Sequence, residues 1–232
     1  METGAEKVTR LKTHIFALTL GVLFGCTQEP YTNEQEKMNL LSLERNRVLE
    51  LIELPDPSLS LYRNEGTRNL VEKFFIRVAG SEQVGKTILR YSDEYDLSLF
   101  LTFSLAFVES NFNPRAVNRN VSSIDRGLFQ LNSRSFPRLK ESDFYNIEIN
   151  TKYGLAHLRE CLEIGGNDIV ALAMYNAGNT QVMAKGAPLS TLGHISKYVE
   201  YRKQLEKSFR EYFRAIYSDR RIASIGDRIL AP

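Results

Sequence analysis

The chain has 232 residues, two cysteines and no tryptophan, with 43% hydrophobic residues and a formal net charge of +2. That length buries a sizeable core and fits one domain with extensions. The near-balanced charge leaves no electrostatic footprint for nucleic acid. His14, His157 and His194 lie far apart without metal-ligand spacing, so no metal or other cofactor is expected.

At the N-terminus, Lys7, Arg10 and Lys12 precede an apolar stretch from Ile15 to Phe24, the layout of a secretory signal. Its roughly ten apolar residues are too few to cross a bilayer, which takes ~20. The stretch ends Leu23-Phe24-Gly25-Cys26, which resembles the lipobox of bacterial lipoproteins. That resemblance implies removal of residues 1–25 and acylation of Cys26 as the new first residue. The chain would then be exported, held to a membrane by its lipid and facing the cell wall. Thr27, where inner-membrane retention favours aspartate, leans towards the outer membrane if the cell has one. The alternative is an ordinary secreted protein with an unmodified cysteine. With Cys26 lipidated only Cys161 remains, so no intramolecular disulfide is available. Cys161 stands beside Leu158 and Leu162 in a helical pattern and reads as a small buried hydrophobe, not a nucleophile.

Residues 26–39 are polar and read as a tether. Helical spacing of Leu41, Val48, Leu51 and Ile52 predicts a helix over 40–54, stopped by Pro55-Asp56-Pro57. A second is expected over 68–79, and a third begins after Gly80-Ser81, with Val84, Ile88, Tyr91 and Tyr95 on one face. Leu97 to Val108 is apolar almost all the way round, so this helix is expected to be buried on most sides. Val121 to Asn132 is the one region expected to hold strand or irregular structure. Helices are expected next over 151–162 and, capped by Asp168, over 169–176. Gly178 ends the latter. A long amphipathic helix over 198–217 carries Tyr201, Leu205, Phe209, Tyr212 and Ile216 on one face. Its other face has Arg202, Lys203, Lys207, Arg210 and Arg214, either solvated or set against anionic lipid or acidic peptides.

Glu109 closes the apolar run, just before Ser110, Asn111, Asn113 and Pro114 stop the helix. Burial and the negative end of a helix dipole both disfavour its ionisation. A carboxylic acid that keeps its proton near neutral pH is what general-acid cleavage of a glycosidic bond requires. A solvated helix-end glutamate is the bland alternative.

The surrounding motifs decide between them. Glu109-Ser110-Asn111-Phe112-Asn113-Pro114 resembles the catalytic-glutamate motif of the soluble-lytic-transglycosylase family. Gly127-Leu128-Phe129-Gln130-Leu131 resembles its second motif, Ala173-Met174-Tyr175-Asn176-Ala177-Gly178-Asn179 its third, and Tyr198-Val199 its fourth. Order and spacing match over roughly 87–203. The first segment also resembles animal lysozymes, in which Asp125 falls at the second carboxylate. The two families share a catalytic core.

The resemblance implies a mainly α, lysozyme-like domain over 81–203, with a small β or irregular region forming one cleft wall. Helical extensions would cover 40–80 and 204–232. It implies Glu109 as the acid, with Gln130, Asn132, Tyr175, Asn176 and Tyr198 against peptidoglycan glycan strands; Phe129 fills space beside the cleft, and Ser110 either holds backbone at the helix end or touches substrate. In the transglycosylase mechanism Glu109 protonates the bond between N-acetylmuramic acid and N-acetylglucosamine. It then deprotonates the muramoyl 6-hydroxyl, giving a 1,6-anhydro product. In the lysozyme mechanism Asp125 serves as a second carboxylate ~5–5.5 Å away and water is consumed. The 109–125 spacing permits that only if the chain folds back as a hairpin. A murein-binding lipoprotein without activity is a third possibility, from a different class.

Overall fold

The computed structural model describes residues 34–218, with side chains described over 42–217. The signal segment, Cys26 and the start of the tether lie outside the described residues, as does 219–232. The chain divides into units Met1–Leu40 and Leu41–Pro232. Of the first, only the beginning of helix α1 (Glu34–Leu51) is described. The second holds the remaining elements.

α1 starts at Glu34, inside the segment read as tether. The run from Glu34 to Asn39 contains no proline or glycine, and Glu, Gln, Lys and Met are good helix formers, so polarity alone does not keep it extended. α2 (Ser58–Arg63) is too short for a period to show in sequence. α3 (Glu65–Ala79) ends at Gly80, whose φ of 64° is left-handed. α4 (Glu82–Glu94) begins at Ser81, whose hydroxyl accepts from the Val84 N–H at 3.4 Å. α5 (Leu99–Ser110) begins at Ser98, which caps the Leu101 N–H in the same way. Every residue from Leu99 to Ala106 is buried. Each large apolar side chain so buried contributes roughly 1.5–3 kcal/mol.

The chain then forms a small antiparallel sheet of β1 (Val117–Arg119), β2 (Ile124–Arg126) and β3 (Leu131–Asn132). Asn118 pairs with Asp125, and Asp125 with Asn132. The expected hairpin is therefore present, with its first strand slightly earlier than the alternation suggests. After α6 (Glu141–Phe144) comes α7 (Ile147–Gly165), which starts before the expected Thr151 because Asn146 caps the Ile149 N–H at 3.1 Å. In α8 (Asp168–Ala177) the cap is Asn167, not Asp168: its side chain accepts from the Val170 N–H at 3.0 Å. A short α9 (Asn179–Lys185), with no buried residue and hence no apolar signal, leads to α10 (Leu189–Ser218).

α10 begins well before the expected Tyr198 and runs without a break past Lys203, so the division at 203/204 is not a structural boundary. Nor are the flanking helices separate from the domain core. Ile52, Leu61, Val71 and Phe75, from the segment spanning α1 to α3, share one apolar cluster with Leu205, Phe209 and Phe213 of α10 and with the buried face of α5. Phe75 lies 4.3 Å from Phe103, and Phe209 packs edge-on to Phe74 at 5.1 Å and to Phe100 at 5.2 Å between ring centroids. Such pairs contribute about 0.5–1.5 kcal/mol beyond their burial.

Three arginines of the basic α10 face are taken up internally. Arg202 binds Asp168 and Glu206 and lies 3.7 Å from Asp56. Arg210 donates to the Leu54 and Pro55 carbonyls, and Arg214 pairs with Glu53 at 2.7 Å. They lock α10 onto the turn after α1. Among the described residues no helix is long and apolar enough to cross a membrane.

Candidate active site

A cleft of about 700 Å³ opens between the end of α5, the sheet and the α7–α8 side of the domain. Glu109 in the last turn of α5 reaches it, as do Asp125, Gln130 and Asn132 from the sheet and Tyr175 and Asn176 from α8. Six of the residues singled out in the sequence thus converge on one cavity.

The end of α5 is tightly specified. Asn111 and Phe112 both take left-handed backbone conformations, with φ of 51° and 60°. Two non-glycine residues in that region store strain, which surrounding structure must hold in place. Part of the hold comes from Ser110, whose hydroxyl donates to the Leu128 carbonyl at 2.7 Å and the Ala106 carbonyl at 3.1 Å. Ser110 therefore fastens the helix end to the loop 127–130, the first of the two roles its position suggests, and is not among the residues that line the cleft.

That loop is fixed from behind by Asn150, a buried residue that belongs to none of the motifs. Its Oδ1 accepts from the Phe129 N–H at 2.7 Å, and its Nδ2 donates to the carbonyls of Phe144 at 2.8 Å and Arg126 at 3.0 Å. Gly127, at φ 82°, runs so close to these groups that a Cβ would lie 2.0 Å from the Phe144 carbonyl oxygen. Its close approach is to α6 and α7 rather than to the cleft. At Gly154 a Cβ would meet Phe129 at 2.5 Å. Phe129 is wholly buried there and supports the wall without lining it. Tyr198 is likewise 2% exposed, on the core face of α10, and cannot offer its ring to a sugar. A motif position specifies a residue type, and buried supports recur in motifs as readily as contact residues.

The remaining candidates keep their places. Tyr175 donates its hydroxyl to the Phe129 carbonyl at 2.9 Å, and burial holds its pKa well above the usual phenol value, so it stays a donor. Its ring lies 5.1 Å from that of His157, which also lines the cleft. The Gln130 amide donates to the Gly127 carbonyl at 2.9 Å, and Asn176 accepts from the Thr191 hydroxyl at 2.7 Å. Asp125 is surrounded by amides: Asn120 at 2.8 Å and Asn118 at 3.3 Å donate to Oδ2, and Asn132 at 2.6 Å donates to Oδ1. A carboxylate accepts all three, which fixes its plane.

The Glu109 side chain is only 11% exposed. Burial raises its pKa; contact with His194 opposes the rise without cancelling it, and Asp125 adds to it by repulsion. His194 Nε2 lies 3.1 Å from Glu109 Oε1. Sequence spacing that starts the last helix at Tyr198 leaves His194 outside it and without a role. Extending the apolar spacing back from Tyr198 through Ile195 to Thr191 puts His194 on that helix, beside the cleft.

Cys161 is fully buried and its thiol is pushed up to about 12 by desolvation, which makes it inert as a nucleophile. Its sulfur lies 3.8 Å from His157 Nε2. No group of three or more potential metal ligands occurs among the described residues.

Residues 86–191 match the family model of the transglycosylase SLT domain. The matched segment is similar to that family, which supports lytic-transglycosylase-type activity on peptidoglycan in general, and the described residues form a mainly α, lysozyme-like fold. Comparison with curated proteins and with solved structures finds no match.

Proposed function

We propose that the protein is a membrane-anchored peptidoglycan lytic transglycosylase that cleaves the bond between N-acetylmuramic acid and N-acetylglucosamine, with Glu109 as acid and then base. The observation that carries this reading is the buried Glu109 carboxyl, its pKa raised from the ordinary carboxylate value by burial, at the edge of a polar cleft within the segment that matches the SLT family model. Glu109 gives its proton to the glycosidic oxygen as that bond breaks. The resulting carboxylate takes the proton of the muramoyl 6-hydroxyl, which closes on the anomeric carbon to form the 1,6-anhydro ring. No water is consumed, and the intramolecular attack gains from proximity. Gln130, Asn132, Tyr175 and Asn176 line the same cavity and supply amide and hydroxyl contacts for an uncharged polysaccharide. The lipobox-like Leu23-Phe24-Gly25-Cys26 supports export and a lipid anchor facing the wall.

One observation favours a second reading. Asp125 lines the same cleft as Glu109 with three amides around it, which supports a lysozyme-type hydrolase with Asp125 as second carboxylate. Mass spectrometry of fragments released from purified sacculi separates the two. Anhydro ends weigh one water less than reducing ends, and reducing ends alone would replace the transglycosylase by the hydrolase. Undiminished release by Glu109→Gln would remove both.

A further inference from the structure

We propose that His194 is the positioning residue of the Glu109 acid: its Nε2–H holds Oε1, so that the exchangeable proton sits on Oε2. This rests on the proposed role of Glu109 and adds to it a partner that the motif residues do not include.

The geometry begins with the antiparallel packing of α5 on α10. Three contacts succeed one another along it: Phe100 with Phe209 at 5.2 Å, Phe107 with Tyr201 at 3.7 Å, and Glu109 with His194 at 3.1 Å. The first two are ring contacts in or against the core, so neither helix can slide or turn without breaking them. His194 is thereby delivered to the carboxyl by rigid elements, which place a supporting group more tightly than a loop does. It is itself three-quarters buried, with a side-chain exposure of 23%.

The carboxyl has two oxygens and only one of them is engaged. Oε2 has no hydrogen-bond partner among the described residues, while the residue lines the cleft. If the proton sat on Oε1 it would be given to the imidazole and be lost to the substrate. With Nε2 as donor, Oε1 accepts and the proton stays on Oε2. It passes from there to the glycosidic oxygen, which leaves with the electron pair of the broken bond. The new carboxylate keeps the His194 hydrogen bond, and Oε2 recovers a proton from the attacking hydroxyl. His194 holds its own proton throughout.

Of the other titratable groups around the pair, His157 of α7 and Arg134 line the same cleft as Glu109. Asp125 of β2 and the Tyr175 hydroxyl of α8 couple electrostatically to Glu109, and Cys161 of α7 couples to Tyr175. Glu109 is the only ionisable side chain of α5. Asp168 of α8 is bound to Arg202, and Lys197 and Glu200 of α10 point to solvent.

The test compares wild type with His194→Leu, which cannot donate, and His194→Gln, whose amide can. Fragment release from sacculi is followed as a function of pH, and the Glu109 carboxyl is titrated by carbon NMR in each protein. His194→Leu is expected to lose roughly 10²-fold in kcat with KM unchanged, the size of effect a misplaced catalytic group produces. Its Glu109 titration and the alkaline limb of its profile should both move to higher pH, since His194 favours the ionised form. His194→Gln should recover most of the rate. A Glu109 titration unmoved in His194→Leu, or equal losses in both variants, overturns the proposal. An inactive wild type whose Glu109 titration still shifts would remove the enzymatic reading and leave the pairing standing.

Discussion

The rings of Phe107 and Tyr201 lie parallel, 3.7 Å between centroids and 8° between planes. Phe107 stands two residues before Glu109 and Tyr201 two turns after His194, so this stack sets the register at which acid and imidazole meet. The stack is partly buried, and burial keeps the Tyr201 phenol protonated, raised to about 12.

Glu109→Gln keeps the shape and the contact with His194 but has no proton to give. Release of soluble fragments from sacculi should fall by about 10²–10⁴-fold, the span general acid–base catalysis contributes. Substrate binding, measured by sedimentation with sacculi, should persist.

The same substitution should make the protein more stable, and in a pH-dependent way. The folded-state pKa of Glu109 lies above its unfolded value, so the native state binds that proton more tightly. The stability it contributes is fully present below the ordinary carboxylate pKa and is lost as pH rises through the folded value. Glu109→Gln has no such loss. Its melting temperature should exceed wild type by about 2–4 °C at neutral pH, with the gap closing below pH ~4. A gap that does not change with pH would contradict the burial assigned to Glu109.

Asp125→Asn distinguishes the two chemistries independently of product mass. For an anhydro-forming enzyme the second carboxylate is dispensable, and the rate should stay within about tenfold of wild type, or ~1.4 kcal/mol. A loss comparable to that of Glu109→Gln would assign Asp125 the lysozyme role.

Asn150→Leu should destabilise the domain by about 2–4 kcal/mol, because the Phe129 N–H and the Phe144 and Arg126 carbonyls lose a buried partner. Denaturant unfolding measures this, and activity should fall with it as the loop under Gln130 loosens.

Cys161 should not react with thiol reagents in the native protein at neutral pH and should react on unfolding, given its burial and its pKa near 12. A protein lipidated at Cys26 would then show no reactive thiol when folded and one when denatured. Two after denaturation would refute lipidation.

Much of the fold and site is legible along the chain. The buried character of α5 follows from an unbroken apolar run, its end from Asn111 and Pro114, and the cleft residues Glu109, Gln130, Tyr175 and Asn176 from motif type and order. The helix starts are less so, because caps such as Asn146 and Asn167 are chosen by geometry over neighbours of equal propensity. α2 and α9 are too short or too exposed to leave a period.

By itself, then, the sequence determined a helical domain with one acid at the end of a greasy helix, because apolar periodicity and stop signals are local properties. Only the tertiary structure decided which motif residues meet the cleft and which stand behind it. Ser110, Phe129 and Tyr198 turn to the backbone or the core, while His194 and Asn150, which carry no motif, reach the acid and its supporting loop. The physical reason is that contacts between α5 and α10, or between α7 and the loop at Gly127, join residues far apart in the chain, and their partners are selected by packing geometry.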